Sequence, residues 1–193
     1  MYVEVYEVYK FLSNSHMAEL RCLFLQNNNI EVIDGLATFE HLTNLNLCSN
    51  YISKLDNLKD LPNLHTLLLS RNKLATADDI EELSECKELG VLDLSYNSLN
   101  EPEVINVLER MPSLKVLTFM GNPIVRKTKE YRRMMILRLK HLTYLDTRPV
   151  RNEDRLCAQA WMEGGLEAER KLREKWADEK LQATKASVRN LMR

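Results

Sequence analysis

The chain has few glycines and few prolines, five of each in 193 residues, which excludes collagen-like order and Gly/Pro-rich disorder. It has no excess charge of one sign: 27 basic side chains face 28 acidic ones, a formal net charge of −1. That balance removes the electrostatic argument for a dedicated nucleic-acid or polyanion binder, so nucleic acid is disfavoured as a partner. No apolar run approaches the roughly 18 residues of a membrane span. Glu4 and Glu7 stand where a signal peptide would be apolar. A cytoplasmic protein without a membrane partner is expected.

Cysteines are few and scattered. Cys22, Cys48, Cys86 and Cys157 are separated by 26, 38 and 71 residues, which fits neither a CxxC zinc pair nor a compact disulfide framework. They read as free thiols. His16, His41, His65 and His141 form no HExxH and have no cysteine at ligand spacing, so neither a metal nor another cofactor is expected. GxSxG, GxxxxGK[ST] and a Gly-rich dinucleotide loop are all missing, which points away from an enzyme.

What the sequence does contain is a repeat. Leu20, Leu23, Leu25, Asn28 and Ile30 follow L-x-x-L-x-L-x-x-N-x-I, and the pattern returns four times, at Leu42–Ile52, Leu64–Leu74, Leu89–Leu99 and Leu114–Ile124. Successive copies start 22, 22, 25 and 25 residues apart, and a partial sixth begins 28 residues later at Leu142 and Leu145. This is the spacing of a leucine-rich repeat. A short strand sends alternate residues to opposite faces, so pairs such as Leu45 and Leu47 enter one core. The amides of Asn28, Asn50, Asn72, Asn97 and Asn122 both donate and accept, and are expected to satisfy backbone groups where each strand ends. Ile52, Leu55, Leu58 and Leu61 recur at a spacing of three, which predicts a short helix or 3₁₀ turn on the convex side. The two longer copies carry fuller helical patterns, Asp79 to Cys86 and Glu103 to Met111.

The expected architecture is therefore an α/β solenoid of five repeats over residues 17–150, with a parallel concave sheet and a C-terminal cap. The cap runs through a helix at Lys129 to Leu139, with Tyr131, Met135 and Leu139 on its buried stripe, into a last strand around Leu142 and Leu145. Residues 1–16 carry two readings, a foreign segment or an N-terminal cap. Residues 151–193 form a charged helical extension, with Glu167–Lys171 and Glu169–Arg173 at i,i+4 spacing. Gly164-Gly165 is expected to break or kink that helix, and a thin stripe of Leu156, Trp161 and Leu166 is expected to pack.

Residues between the core leucines project from the concave side in columns. One reads Phe24, Asn46, Leu68, Asp93, Thr118 and Asp146; its neighbours read Cys22, Asn44, Thr66, Val91, Val116, Tyr144 and Gln26, Cys48, Ser70, Ser95, Met120, Arg148. Six strands about 4.8 Å apart make a face roughly 24 Å across, wide enough for a helix or loop of another protein. Phe24, Leu68, Met120 and Tyr144 aim apolar groups at solvent, with Arg71 and Tyr96 one step toward the edge, and such groups are typical interface anchors. The candidate protein-binding set is Phe24, Asn46, Leu68, Arg71, Asp93, Tyr96, Thr118, Met120 and Tyr144. A second candidate is a basic cap patch of Arg126, Lys127, Lys129, Arg132, Arg133, Arg138 and Lys140, set against one acid, Glu130. It reads either as a dock for acidic protein or nucleic acid or as a solvated helix whose cations offset its dipole.

Several runs resemble one family: Leu20 to Gln26, Gly121-Asn122-Pro123, Tyr131-Arg132-Arg133, Arg138 to Asp146, Arg148-Pro149-Val150 and the segment from Asp154 through Trp161 and Gly164-Gly165 to Glu169. These are similar to the dynein axonemal assembly factor 1 family, also called leucine-rich-repeat-containing protein 50, in its N-terminal repeat region. The likeness covers about residues 18–176 and departs from the family in lacking upstream repeats and a long C-terminal extension. It implies a non-enzymatic cytoplasmic factor for the preassembly of ciliary or flagellar dynein arms. The implied partner is an axonemal dynein subunit or a co-assembly factor, and a monomer is expected. Two other classes stay open, a phosphatase-regulatory repeat protein and a ribonucleoprotein component.

Overall fold

The computed structural model describes residues 19–191, so the two readings of residues 1–16 lie outside the described residues. Each full repeat contributes one three-residue strand: β1 (Cys22–Phe24), β2 (Asn44–Asn46), β3 (Thr66–Leu68), β4 (Val91–Asp93) and β5 (Val116–Thr118). Two shorter strands follow, β6 (Tyr144–Leu145) and β7 (Arg148–Pro149). They form one sheet in chain order, parallel from β1 to β6. The fold is the α/β leucine-rich-repeat solenoid that the leucine spacing predicts.

The register is what makes the core. Leu23, Leu45, Leu67, Leu92, Leu117 and Leu145 are aligned across consecutive strands, and from Leu45 onward each is at most 1% exposed. Leu47, Leu69, Leu94 and Phe119 form a second buried column. Each such side chain contributes about 1.5–3 kcal/mol by leaving water, and most of that comes from contact with the copies on either side. Leu23, on the first strand, is only half-buried.

Two expectations need correction. The expected last strand around Leu145 is β6 and extends the columns in parallel, but β7 then turns back antiparallel, pairing Arg148 with Leu145. Arg148 therefore leaves the column that ends at Met120. The second correction concerns the return segments. Ile52, Leu55, Leu58 and Leu61 are buried as expected, and residues 51–65 form no regular helix but single tight turns, with the Leu61 amide donating to Leu58 O and the Leu64 amide to Leu61 O at 3.1 Å each. A 22-residue copy is too short to close a helix before its next strand. The 25-residue copies have the extra length, and they carry a 3₁₀ helix at Asp78–Glu85 and helix α1 at Glu103–Glu109. The first is fixed at its entry by Asp79, whose Oδ2 accepts the amides of Ala75 and Thr76 at 2.8 Å each.

The cap begins with α2 (Pro123–Lys127) and α3 (Tyr131–Arg138), separated by Glu130 in the left-handed conformation. Ile124, Met135, Ile136 and Leu139 close the core. Tyr131, expected on the same stripe, is half-buried.

The chain divides into two compact units, Met1–Pro149 and Val150–Arg193. The second is the charged helix α4 (Asn152–Leu191), interrupted at Gly164 and Gly165. Gly165 adopts φ 69°, ψ −162°, a region open essentially to glycine alone. Beyond the break, the Arg173 guanidinium pairs with Glu169 at 2.8 Å. The buried residues of the first half are Cys157 and Ala158, whereas Leu156 and Leu166 are 41% and 63% exposed. The apolar stripe is thus displaced from the one the spacing suggested.

The asparagine ladder runs through the second to the fifth copy. Asn50 Nδ2 donates to the carbonyls of Leu25 and Leu47 at 2.9 Å, and its Oδ1 accepts the Ile30 amide at 3.1 Å. Asn72 repeats this with Leu47, Leu69 and Ile52, Asn97 with Leu69, Leu94 and Leu74, and Asn122 with Leu94, Phe119 and Leu99. Asn28, in the first described copy, donates to Leu25 and Gln26 and among the described residues reaches no other copy.

Two stability measurements follow. Asn72→Ala leaves two carbonyls short of a donor and one amide without its acceptor inside the stack, and is expected to cost about 2–4 kcal/mol in urea unfolding. Asn28→Ala should cost under about 1 kcal/mol, since its bonds among the described residues stay within its own copy. Equal losses would contradict the ladder. Leu67→Ala opens a cavity in the middle of the core and should cost about 2–5 kcal/mol; a loss below about 1 kcal/mol would mean that this residue faces solvent.

Candidate protein-binding surface

The same alternation that buries the leucines turns Phe24, Asn46, Leu68, Asp93 and Thr118 onto the open face of the sheet, side by side in register. Cys22, Asn44, Thr66, Val91, Val116 and Tyr144 form the neighbouring column. Asp93 is the one charged residue in these two sets. Phe24 is 65% exposed and Tyr144 is 38% exposed, whereas Leu68, Asn46, Asp93, Thr118 and Met120 are half-buried. Two polar members are already engaged: Asn46 Oδ1 accepts the Cys48 amide at 3.0 Å and Asp93 Oδ1 accepts the Ser95 amide at 2.9 Å. The face is thus nearly neutral, with aromatic rings toward its two ends.

Asp146, the last of its column, does something else. Its Oδ1 accepts the amides of Phe119 and Met120 at 2.8 and 2.9 Å, so it ties off the final turn. The Tyr131 hydroxyl is buried and makes no hydrogen bond of ordinary geometry among the described residues, and burial first, then the neighbouring Asp146 carboxylate, pushes its phenol well above the ordinary tyrosine range.

Arg71 and Tyr96 lie beyond the strands, in the turns that precede Asn72 and Asn97. Asn27, Ser49, Arg71, Tyr96 and Gly121 occupy equivalent positions, all at positive φ: 59°, 56°, 57°, 55° and 83°. For a residue with a side chain this left-handed conformation costs about 1–2 kcal/mol. It is held by a continuation of the sheet ladder, Asn27 N–H to Cys48 O, Ser49 to Ser70, Arg71 to Ser95 and Tyr96 to Met120, at 2.8–3.0 Å. The conformation swings Arg71 over the Tyr96 ring, 5.3 Å from its centroid. The ring in turn lies on Gly121, where a Cβ would come within 2.5 Å of it.

Two residues escaped the sequence reading. Lys73 Nζ stands 4.4 Å from the centroid of Tyr51, and Tyr51 is 44% exposed. Each directly follows a ladder asparagine in consecutive copies, Asn50-Tyr51 and Asn72-Lys73. That shared position was the available signal.

The basic cap residues are divided by the fold. Arg138 forms a two-pronged pair with Glu109, at 2.6 and 2.5 Å, and also donates to Asn106. Arg132 donates to the carbonyls of Leu145 and Pro149, and Arg133 pairs with Glu130. Arg126, Lys127, Lys129 and Lys140 are exposed. A shallow hollow of about 270 Å³ between α1 and the cap is lined by Leu108, Glu109, Arg138 and His141 among others.

Among the described residues, no group of three or more His, Cys, Asp and Glu side chains is placed to hold a metal ion. No described helix is long and apolar enough to cross a membrane. Burial, reinforced by Glu82 and Glu85, pushes the Cys86 thiol up to about 12, so it stays protonated at neutral pH and is a poor nucleophile.

Comparisons with known proteins agree with this geometry. Over 94 residues, the chain is 55% identical to dynein axonemal assembly factor 1 of Homo sapiens, covering 49% of this chain and 13% of that protein. A dynein axonemal assembly factor 1 homolog of Drosophila pseudoobscura pseudoobscura is 47% identical over 111 residues, covering 58% of this chain and 7% of that protein. The chain therefore spans a small part of the curated relatives it matches. Among solved structures, a chain of the Drosophila melanogaster SNF/U2A' complex superposes with a TM-score of 0.66 at 30% identity, covering 79% of this chain and 87% of that one. The family model described as "Leucine-rich repeat" matches residues 9–174. With its copies, register and asparagine ladder in place across that span, the chain belongs to the leucine-rich repeat family.

Proposed function

We propose that the chain is a non-enzymatic protein-binding scaffold that acts in the cytoplasmic preassembly of axonemal dynein arms for cilia or flagella. The observation that carries this reading is the 55% identity to dynein axonemal assembly factor 1, in a chain whose repeats leave a neutral, partly aromatic sheet face. The physical argument is consistent with it. Repeat positions are consumed by the core and the ladder, and what remains exposed is surface for contact rather than pocket chemistry. Phe24, Leu68 and Tyr144 are the anchors, with Asn46, Asp93 and Thr118 supplying polar contacts between them. The occupant is a segment of a dynein subunit or co-assembly factor.

A second reading, a ribonucleoprotein component, is favoured by one observation: a chain 30% identical to this one is solved within the SNF/U2A' complex. In that reading the exposed cations Arg126, Lys127, Lys129 and Lys140 would carry the contact.

Both readings meet in one experiment on ciliated-cell cytosol. Replacing Phe24, Leu68 and Tyr144 together by serine (F24S, L68S, Y144S) should abolish recovery of axonemal dynein subunits, identified by mass spectrometry, with little change in melting temperature. Undiminished recovery would overturn the sheet face as the binding surface. Association lost on RNase treatment and insensitive to the triple variant would support the ribonucleoprotein reading instead.

A further inference from the structure

The turn after each strand holds its asparagine inside and exposes the residues on either side of it. Five such turns, residues 26–30, 48–52, 70–74, 95–99 and 120–124, form a rim beside the sheet. In a chain with 28 acidic residues, none of these turns contains Asp or Glu. Their only charges are Arg71 and Lys73, both exposed. Three cations elsewhere in the repeats meet carboxylates: Lys54 pairs with Asp78, Lys87 with Glu85 and Arg110 with Glu81. Arg71 and Lys73 are different, since each rests on a tyrosine ring, Tyr96 and Tyr51 respectively. Asp93, three residues before Tyr96, has one oxygen engaged by the Ser95 amide.

A ring beneath a cation restrains its side chain and removes part of its hydration, yet leaves the N–H edge open. An open guanidinium edge suits a carboxylate held through two parallel hydrogen bonds. The two cations leave the same turn in opposite directions, Arg71 toward the following repeat and Lys73 toward the preceding one. Their tyrosines are two repeats apart, about 10 Å along the stack, which is about three residues of extended chain.

We propose that the rim formed by Tyr51, Arg71, Lys73 and Tyr96 docks an extended acidic segment of a protein partner, with carboxylates about three residues apart reaching the two cations. This deepens the protein-binding reading by adding a second, charge-selective contact beside the neutral sheet face. The rim excludes acids of its own, so the partner's carboxylates face no repulsion within it. The tyrosine rings flank the bound segment and give it apolar contact.

The test is an amide NMR titration of the full chain with a glycine–serine peptide carrying glutamate at every third position. Saturable shifts should centre on residues 51, 71, 73 and 96. Affinity should fall tenfold or more in the Arg71→Gln, Lys73→Gln double variant, and the glutamine version of the peptide should cause no shifts. The F24S, L68S, Y144S variant should bind the peptide unchanged, which separates failure of the rim from failure of the sheet-face reading. The proposal is overturned by shifts confined to Arg126–Lys140, by full affinity in the double variant, or by binding of only a phosphoserine version. Tighter binding of oligouridylate at the same residues would overturn it as well.

Discussion

One asparagine side chain per repeat holds the architecture together. A carboxamide both donates and accepts, so Asn50, Asn72, Asn97 and Asn122 each reach carbonyls of their own and the preceding copy and accept an amide from the preceding copy. Leucine burial supplies most of the driving force and excludes a one-residue slip, which would turn the core leucines to the open face. Hydrogen bonds to buried groups fix the register further, because a slipped copy would leave them unmade. The last turn shows the same logic with a different residue: no further copy follows, two amides need acceptors, and the acceptor-only side chain of Asp146 meets them.

That fixed register decides the surfaces. Alternation along each strand gives a sheet face low in charge, and the left-handed residue before each asparagine turns the amide inward and leaves the residues on either side of it on a rim. The two surfaces differ in character because they answer to different constraints. Sheet positions share space with neighbours 4.8 Å away on either side and tolerate few like charges. Rim positions are open, and long cationic side chains there lie on the rings of adjacent copies. The close approach of Tyr96 to Gly121 shows that the rim, too, is packed, with the glycine serving both its own φ of 83° and its neighbour's ring.

Much of this was legible in the sequence. Leu67 and Leu92 face inward because spacing demands it, and the donor-plus-acceptor argument for asparagine named the ladder before its bonds were seen. The rest was hidden for physical reasons. Nothing local in Ile52 to Leu61 separates a short helix from the single tight turns found there; the length of the copy decides it. The reversal at β7 depends on Asp146 adopting φ 54°, which is visible only with the cap in place. The rim needs Arg71 and Tyr96 at positive φ, a conformation their side chains disfavour, so residue preference argued against the geometry that brings them together. Among the candidate basic residues, sequence clustering did not reveal that Arg132, Arg133 and Arg138 would be turned to structural bonds.

The most direct test of the central claim is site-resolved amide hydrogen exchange on the full chain. The amides of Ile30, Ile52, Leu74 and Leu99 have asparagine side chains as acceptors, and the account predicts protection matching that of the strand amides at Leu47 and Leu69. Exchange at the rate of exposed turns, with the strands still protected, would contradict it.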